Sequence, residues 1–282
     1  MTNAIVHTRV RKVAADSITD TSDILATEEP LEIRLVHGPS HNRRQQNISV
    51  TMRTPGEDME LAAGFLFTEG VISGQDAIQE IILSEDKEGQ IATVHLKPGA
   101  VAQLGNTARN FTATAACGVC GKTEISSIHT AVSVNDNDIR FSADHLFGLP
   151  AMLRNEQALF DTTGGLHAAA LFDANGRLLI LREDIGRHNA VDKIIGAAMA
   201  QQLMPLKNHL LLLSGRAGFE LIQKAAMANI PVIAAIGAPS SMAVKMADAW
   251  HITLLGFLKE QRFNIYSAPE RIDFKSKVTH HG

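Results

Sequence analysis

The chain has 282 residues, of which 45% are apolar and 20% charged, and carries a formal net charge of −4. That length exceeds one typical domain and allows a sizeable core. The mildly acidic balance and the 5% aromatic content exclude a bulk electrostatic or base-stacking binder of nucleic acid, and offer no general attraction to anionic lipid.

Residues 1–17 mix charge with polarity and hold no apolar run of signal-peptide length. The apolar runs at 210–213 and 231–236 are too short to span a bilayer. The expectation is a cytoplasmic protein without a membrane partner. In chain order, residues 31–38 (LEIRLVHG) and 47–55 (NISVTMRTP) read as short strands across a polar turn. Residues 58–67 predict a helix, with an acidic first turn and Met59, Leu61, Ala62, Phe65 and Leu66 at helical spacing. Residues 78–86 and 91–99 read as a strand pair joined by the charged turn EDKEGQ. FTATA then leads into two cysteines, followed by a short helix with Ile125, Ile128 and Val132 on one face. The turn cluster VNDND marks a boundary, giving an N-terminal α+β domain over 1–138 and a second domain over 139–282.

The second half alternates more regularly. A helix over 142–158, broken by Gly148 and Pro150, precedes strands at 166–173 and 177–184 joined by Ala174-Asn175-Gly176, a strong hairpin signal. Helices at 190–202, 219–228 and 241–250 then alternate with strands at 209–213, 232–236 and 252–257. The pattern predicts an α/β fold with a mainly parallel sheet and one antiparallel hairpin. The tail from Ala268 reads as frayed.

Chemistry concentrates at Cys117 and Cys120, the chain's two cysteines, in Ala116-Cys117-Gly118-Val119-Cys120-Gly121-Lys122. The glycines leave the sulfurs unshielded, and Lys122 with a following helix start lowers a thiol pKa. Such a thiolate can attack an activated sulfur and hold it as a persulfide. Other readings of the pair are a zinc site, which needs about four ligands and could draw on His95 or His129, and a dithiol–disulfide oxidoreductase without a thioredoxin-like setting. A phosphate-binding loop would need glycine where Ala116 stands. No metal held by protein side chains is expected. Zinc-dependent deamination fails, because His167 is followed by Ala168 and Ala169 and both cysteines lie upstream.

Asp184, Arg187, His188, Asn189 and Asp192 crowd one strand-to-helix junction, either as a pocket or as a capped helix start with a satisfied network. Ser214-Gly215-Arg216 and Pro239-Ser240-Ser241 precede helices and either hold phosphate or merely cap. Thr163-Gly164-Gly165 hints at a close approach to backbone, while His167 on an apolar strand reads as a core histidine.

ACGVCGK resembles the cysteine motif of the formate dehydrogenase accessory (FdhD) family, and the likeness runs over about residues 28 to 267. Thr54-Pro55-Gly56 with LAAGFLFTEGVI, TTGGLHAAAL, REDIGRHNAVDKIIG, LSGRAGFELIQKAA and GFLKEQRFNIYS are similar to further blocks of that family, in the same order. Gly218 departs from the family's usual serine, and Trp250-His251 replaces a smaller pair. The resemblance implies a sulfurtransferase required for formate dehydrogenase activity. It would accept sulfur from a cysteine desulfurase and pass it to the molybdenum bis-molybdopterin guanine dinucleotide cofactor before insertion. It also implies a cytidine-deaminase-like C-terminal domain and a persulfide on Cys117, with Cys120 as its partner. The family's cofactor-binding segment falls on Phe257, Leu258, Lys259, Glu260, Gln261 and Arg262. Physically, that segment leaves the last strand and offers Phe257 for packing and Lys259 and Arg262 for phosphate. A homodimer is a further expectation, and a cofactor-holding chaperone without thiol chemistry is the alternative function.

Overall fold

The computed structural model describes residues 4–104 and 138–274. The cysteine loop, with Cys117, Cys120, Lys122 and the short helix expected after them, lies outside the described residues. The class is α/β, built on several sheets.

The chain opens with strands β1 (Ile5–Ala14) and β2 (Ser17–Ala26), paired only with each other as an antiparallel ribbon. Neither strand is legible in the sequence. The turn between them is Ala15-Asp16, without the Asn-Gly type of signal, and no face is buried, since Val13 is 72% and Ile18 67% exposed. Arg11 holds Asp20 across the ribbon through two bonds of 2.7 and 2.9 Å.

Strands β3 (Glu29–His37), β4 (Arg44–Arg53), β5 (Ile78–Glu85) and β6 (Gln90–Leu96) form a sheet of order β4-β3-β6-β5. Leu31, Ile33 and Leu35 alternate onto its inner face, as a half-buried strand requires. Helix α1 (Asp58–Thr68) covers that face with Leu61, Ala62, Leu66 and Phe67. Met59, expected on the apolar face, is exposed.

The larger sheet holds β8 (His167–Asp173), β9 (Leu178–Asp184), β10 (His209–Leu213), β11 (Val232–Ala235), β12 (Thr253–Lys259) and β13 (Arg262–Ser267), in the order β13-β12-β11-β10-β8-β9. Only the β10–β11 and β11–β12 ladders are parallel; the other three are antiparallel. The expected single hairpin is therefore corrected to two, one on each side of a parallel centre. Strand β13 is an edge strand not predicted above, although exposed Arg262 and Asn264 alternate with partly buried Phe263 and Ile265.

Side chains alternate to the two faces of this sheet. Leu211, Leu213, Ile233, Ala235 and Leu254 face α4 (Arg187–Ala200), α5 (Phe219–Met227) and α6 (Ser241–Ala249). Leu210, Leu212, Val232, Ala234 and Leu255 face α2 (Ala143–Glu156), with its Leu146, Leu149 and Leu153. Helix α2 runs through Pro150, which costs about 3 kcal/mol in a helix interior. The expected break is corrected: the three buried leucines hold the helix to the sheet on both sides of Pro150. A separate short helix, α3 (Ala158–Thr163), follows. The expected fraying from Ala268 is also corrected. Ala268 is buried, Arg271 is 2% exposed, and β14 (Ile272–Asp273) pairs with β7 (Phe141–Ser142). Among the described residues, no helix is long and apolar enough to cross a membrane.

Candidate functional site

Two adjoining cavities lie along the carboxyl ends of the parallel strands, where open α/β sheets bind ligands. One, of about 520 Å³, is bounded by Pro150, Ile236, Leu258, Lys259, Glu260, Gln261 and Arg262. The other, of about 420 Å³, shares Pro150 and Ile236 and continues past Phe160, His167 and Gly215. Together they form one groove in two lobes.

The first lobe is made by the segment expected from the sequence, with a correction to its backbone. Phe257 to Arg262 does not leave the last strand. It is the tip of the β12–β13 hairpin, with Lys259 directly opposite Arg262 and a bulge between Gly256 and Lys259. Phe257 sits in this bulge at φ 53 and is 42% exposed, and its N–H donates to the Gly237 carbonyl at 3.1 Å. Gly256 must be glycine, because a Cβ there would stand 2.8 Å from Pro239 Cδ and 2.9 Å from the Tyr266 ring. Leu258 points inward and is fully buried. Phe147 of α2 meets Phe263 at 5.4 Å between ring centres, which fixes the hairpin against the helix.

Lys259 and Arg262 are exposed, and neither forms an ion pair with a described residue. Like charges directly opposite across a β-ladder are unfavourable. An anion placed between them reverses that sign.

The second lobe begins where α2 ends. Arg154 pairs with Asp161 at 3.1 Å and lies over the Phe160 ring at 4.6 Å. Gln157 turns inward and is 5% exposed. A Cβ on Gly164, whose φ is 68, would meet nothing within 4 Å, so the expected close backbone approach is not made by any described residue. His167 is half-buried on this cavity and is not a core histidine. Burial, together with the charges of Arg187 and His188, holds its pKa below the ordinary value, against a smaller opposing pull from Asp184. Ser214 is structural: its hydroxyl accepts the Ala168 N–H at 2.8 Å.

The other polar candidates divide. Asp184 and Asn189 form a satisfied network. Asp184 accepts from the N–H groups of Gly186 and Thr54, from Asn189 Nδ2 and from Lys193 Nζ, at 2.8 to 3.2 Å. Asn189 also donates to the Met52 carbonyl at 2.8 Å. Asp192 accepts from Thr68 and pairs with Lys224, joining α1, α4 and α5. These residues bind elements together rather than line the groove. Ser240 caps α6 through the Ala243 N–H at 3.2 Å, and Arg216 is exposed. His188 stands 3.7 Å from Glu220, whose carboxyl is held below its usual range, first by His188. Gln157, Phe160, Ile236 and Glu220 give no signal in the sequence, because a lone polar or apolar residue at an element end carries no motif.

The fold is that of a mixed α/β protein with a two-lobed groove across the carboxyl ends of its parallel strands. The chain belongs to the FdhD/NarQ family, whose model matches residues 26–273. It is 44% identical over 280 residues to the sulfur carrier protein FdhD of Mycobacterium tuberculosis, covering 95% of this chain and 99% of that one. The sulfur carrier protein FdhD of Sulfolobus acidocaldarius is 39% identical over 270 residues, covering 94% and 99%. A crystal structure from Desulfotalea psychrophila, assigned as a formate dehydrogenase accessory protein, superposes with a TM-score of 0.76 at 23% identity. It covers 96% of this chain and 100% of that one, and speaks to the fold.

Proposed function

We propose that this chain is a cytoplasmic sulfurtransferase that carries sulfur as a persulfide on Cys117. It delivers that sulfur to the molybdenum bis-molybdopterin guanine dinucleotide cofactor of a formate dehydrogenase before the cofactor is inserted. Family membership and the names of its relatives support the sulfur chemistry. The structural observation that carries the cargo site is the Lys259–Arg262 couple at the mouth of the groove, without an ion-pair partner among the described residues, which suits the phosphates of a dinucleotide. Phe257, Leu258, Glu260 and Gln261 complete that segment, and no side-chain metal is required. The reading treats residues 1–138 and 139–282 as two domains, the second cytidine-deaminase-like, and the protein as a homodimer.

Loading proceeds by attack of the Cys117 thiolate on the outer sulfur of a cysteine desulfurase persulfide. The donor's S–S bond breaks, its thiolate leaves, and Cys117 holds S–SH. For release, Cys120 attacks the inner Cys117 sulfur. Hydrogen sulfide leaves with the outer sulfur and a Cys117–Cys120 disulfide remains, which an external dithiol reduces.

Intact-mass analysis after incubation with a desulfurase and cysteine tests the reading. The expected result is a gain of one sulfur atom that reductant removes and that Cys117→Ala abolishes. A Cys117→Ala protein that still supports formate dehydrogenase maturation would show a cofactor holder instead.

A further inference from the structure

Next to the second lobe, four charged or titratable side chains form a corner that the proposed function leaves unused. Arg187 and His188 open α4, Glu220 lies in the first turn of α5, and His167 opens β8. The charges of Arg187 and His188 act on both His167 and Glu220, which places the four within one neighbourhood. Of the four, only His167 lines the two-lobed groove. Arg187 is half-buried, and its side chain makes no ion pair or hydrogen bond with a described residue; its Nε is shut off from solvent without a partner. A half-buried guanidinium in that state is costly until an anion pairs with it. His188 Nε2 stands 3.7 Å from Glu220 Oε2, too far for a hydrogen bond, and 15% and 18% of the two side chains are exposed, so a small solute can reach the corner.

The charges of the corner select among anions. His167, held below its ordinary pKa, is neutral at neutral pH, while the Glu220 carboxylate is ionised. Arg187 with a protonated His188 therefore outweighs Glu220 by one unit, which suits a single negative charge. A phosphate dianion would meet the Glu220 carboxylate here and gains more at the hairpin, where Lys259 and Arg262 stand directly opposite each other. Half-burial adds a desolvation cost that falls hardest on strongly hydrated, multiply charged groups. We infer that Arg187 and His188 form a second anion site, apart from the hairpin, and that it takes a small, singly charged sulfur anion, a hydrosulfide or a thiolate. The inference rests on the reading of the chain as a sulfur carrier, whose release step frees sulfur as sulfide. Arg187 pairs with the anion, and His188 donates a hydrogen bond to it. Glu220 holds the imidazole ring and turns away groups of higher charge.

Calorimetry on the reduced full chain under anaerobic conditions tests this, with sodium hydrosulfide, thiophenolate and inorganic phosphate as probes. Arg187→Gln should weaken a sulfur probe about tenfold, as the loss of a charge-assisted bond implies, and should leave phosphate affinity as in the parent. Loss confined to hydrosulfide assigns free sulfide to the site, and loss confined to thiophenolate assigns an organic thiolate. Glu220→Gln keeps the shape and removes the excluding charge, so phosphate should bind more tightly than to the parent. If Arg187→Gln misfolds, His188→Gln serves, since it removes the second contact and should weaken the same probe. Sulfur probes that bind parent and variant equally overturn the inference, as does an equal loss for phosphate. Unchanged phosphate binding in Glu220→Gln overturns the part given to Glu220. Intact-mass analysis of the same parent preparation, after incubation with a desulfurase and cysteine, keeps the two readings apart. A parent that takes up sulfur but binds neither sulfur probe overturns the inference alone. A parent that takes up no sulfur overturns the carrier reading, and the sulfur assignment of this site with it.

Discussion

Gly64 of α1 and Gly196 of α4 meet where the two helices cross. A Cβ on Gly64 would stand 1.9 Å from the Asp192 carbonyl oxygen, and one on Gly196 would stand 1.9 Å from the Glu60 carbonyl oxygen. Both obstacles are backbone, so neither can swing aside. Each of Gly64→Ala and Gly196→Ala should force the helices apart and lower stability by about 3 kcal/mol or more, read from the urea midpoint. Gly148 supplies the contrast. It is exposed on α2, and a methyl group there would meet nothing within 4 Å, so Gly148→Ala should gain about 1 kcal/mol from helix propensity alone.

Asp184 and Lys193 are both fully buried, 2.9 Å apart, and Lys193 also donates to the carbonyls of Thr54 and Glu183. The pair holds Thr54, just after β4, and with the neighbouring Asn189 bond to the Met52 carbonyl it ties the end of β4 to the start of α4. Lys193→Met strands a buried carboxylate and should cost about 3 to 5 kcal/mol. The double variant Asp184→Asn with Lys193→Met removes both charges and should recover part of that loss. A chemical denaturation series across the single and double variants reads the coupling.

Much of this architecture is legible because its signals are local. His209–Leu213 and Val232–Ala235 are short apolar runs between amphipathic helices, and Ala174-Asn175-Gly176 marks its hairpin. What is illegible depends on tertiary contact. The ribbon β1–β2 buries neither face, and α2 tolerates Pro150 only because Leu146, Leu149 and Leu153 are clamped against the sheet. The same holds for the groove. The Lys259 and Arg262 cations are visible as a basic turn, but their face-to-face register depends on β13, an edge strand not predicted from the sequence. In the sequence Asp184 and Asn189 suit a pocket and a clamp equally, and only Thr54 and Met52, about 130 residues upstream, decide for the clamp.

The pH dependence of stability should carry a contribution from His167. Its pKa is held below the ordinary 6.5, chiefly by burial and then by the charges of Arg187 and His188. A base with a depressed folded pKa binds its proton more readily when unfolded. Its contribution is therefore whole above the unfolded value and is lost as pH falls from 6.5 toward the folded pKa. His167→Gln should flatten that part of the curve. Melting temperatures of parent and variant between about pH 8 and 5 measure the difference, and parallel curves would remove His167 as the source.

Phe257 combines a left-handed backbone with an exposed aromatic side chain next in sequence to Leu258–Arg262, though it lines neither cavity itself. A bulky residue at φ 53 costs roughly 1–2 kcal/mol relative to glycine, a cost no packing recovers in full with 42% of the residue exposed. Phe257→Gly should therefore raise stability by about 1 kcal/mol, after allowing for the greater entropy glycine gives the unfolded chain. The hairpin register set by the Gly237 carbonyl and the Lys259–Arg262 pair involves backbone atoms and should survive the change. If the ring lies over a bound nucleotide, GDP affinity should fall in the same variant, while pyrophosphate, which needs only the two cations, should bind as before. Denaturation and calorimetry on one preparation separate the two effects. A variant that is both less stable and unchanged in GDP binding would make Phe257 a packing residue instead.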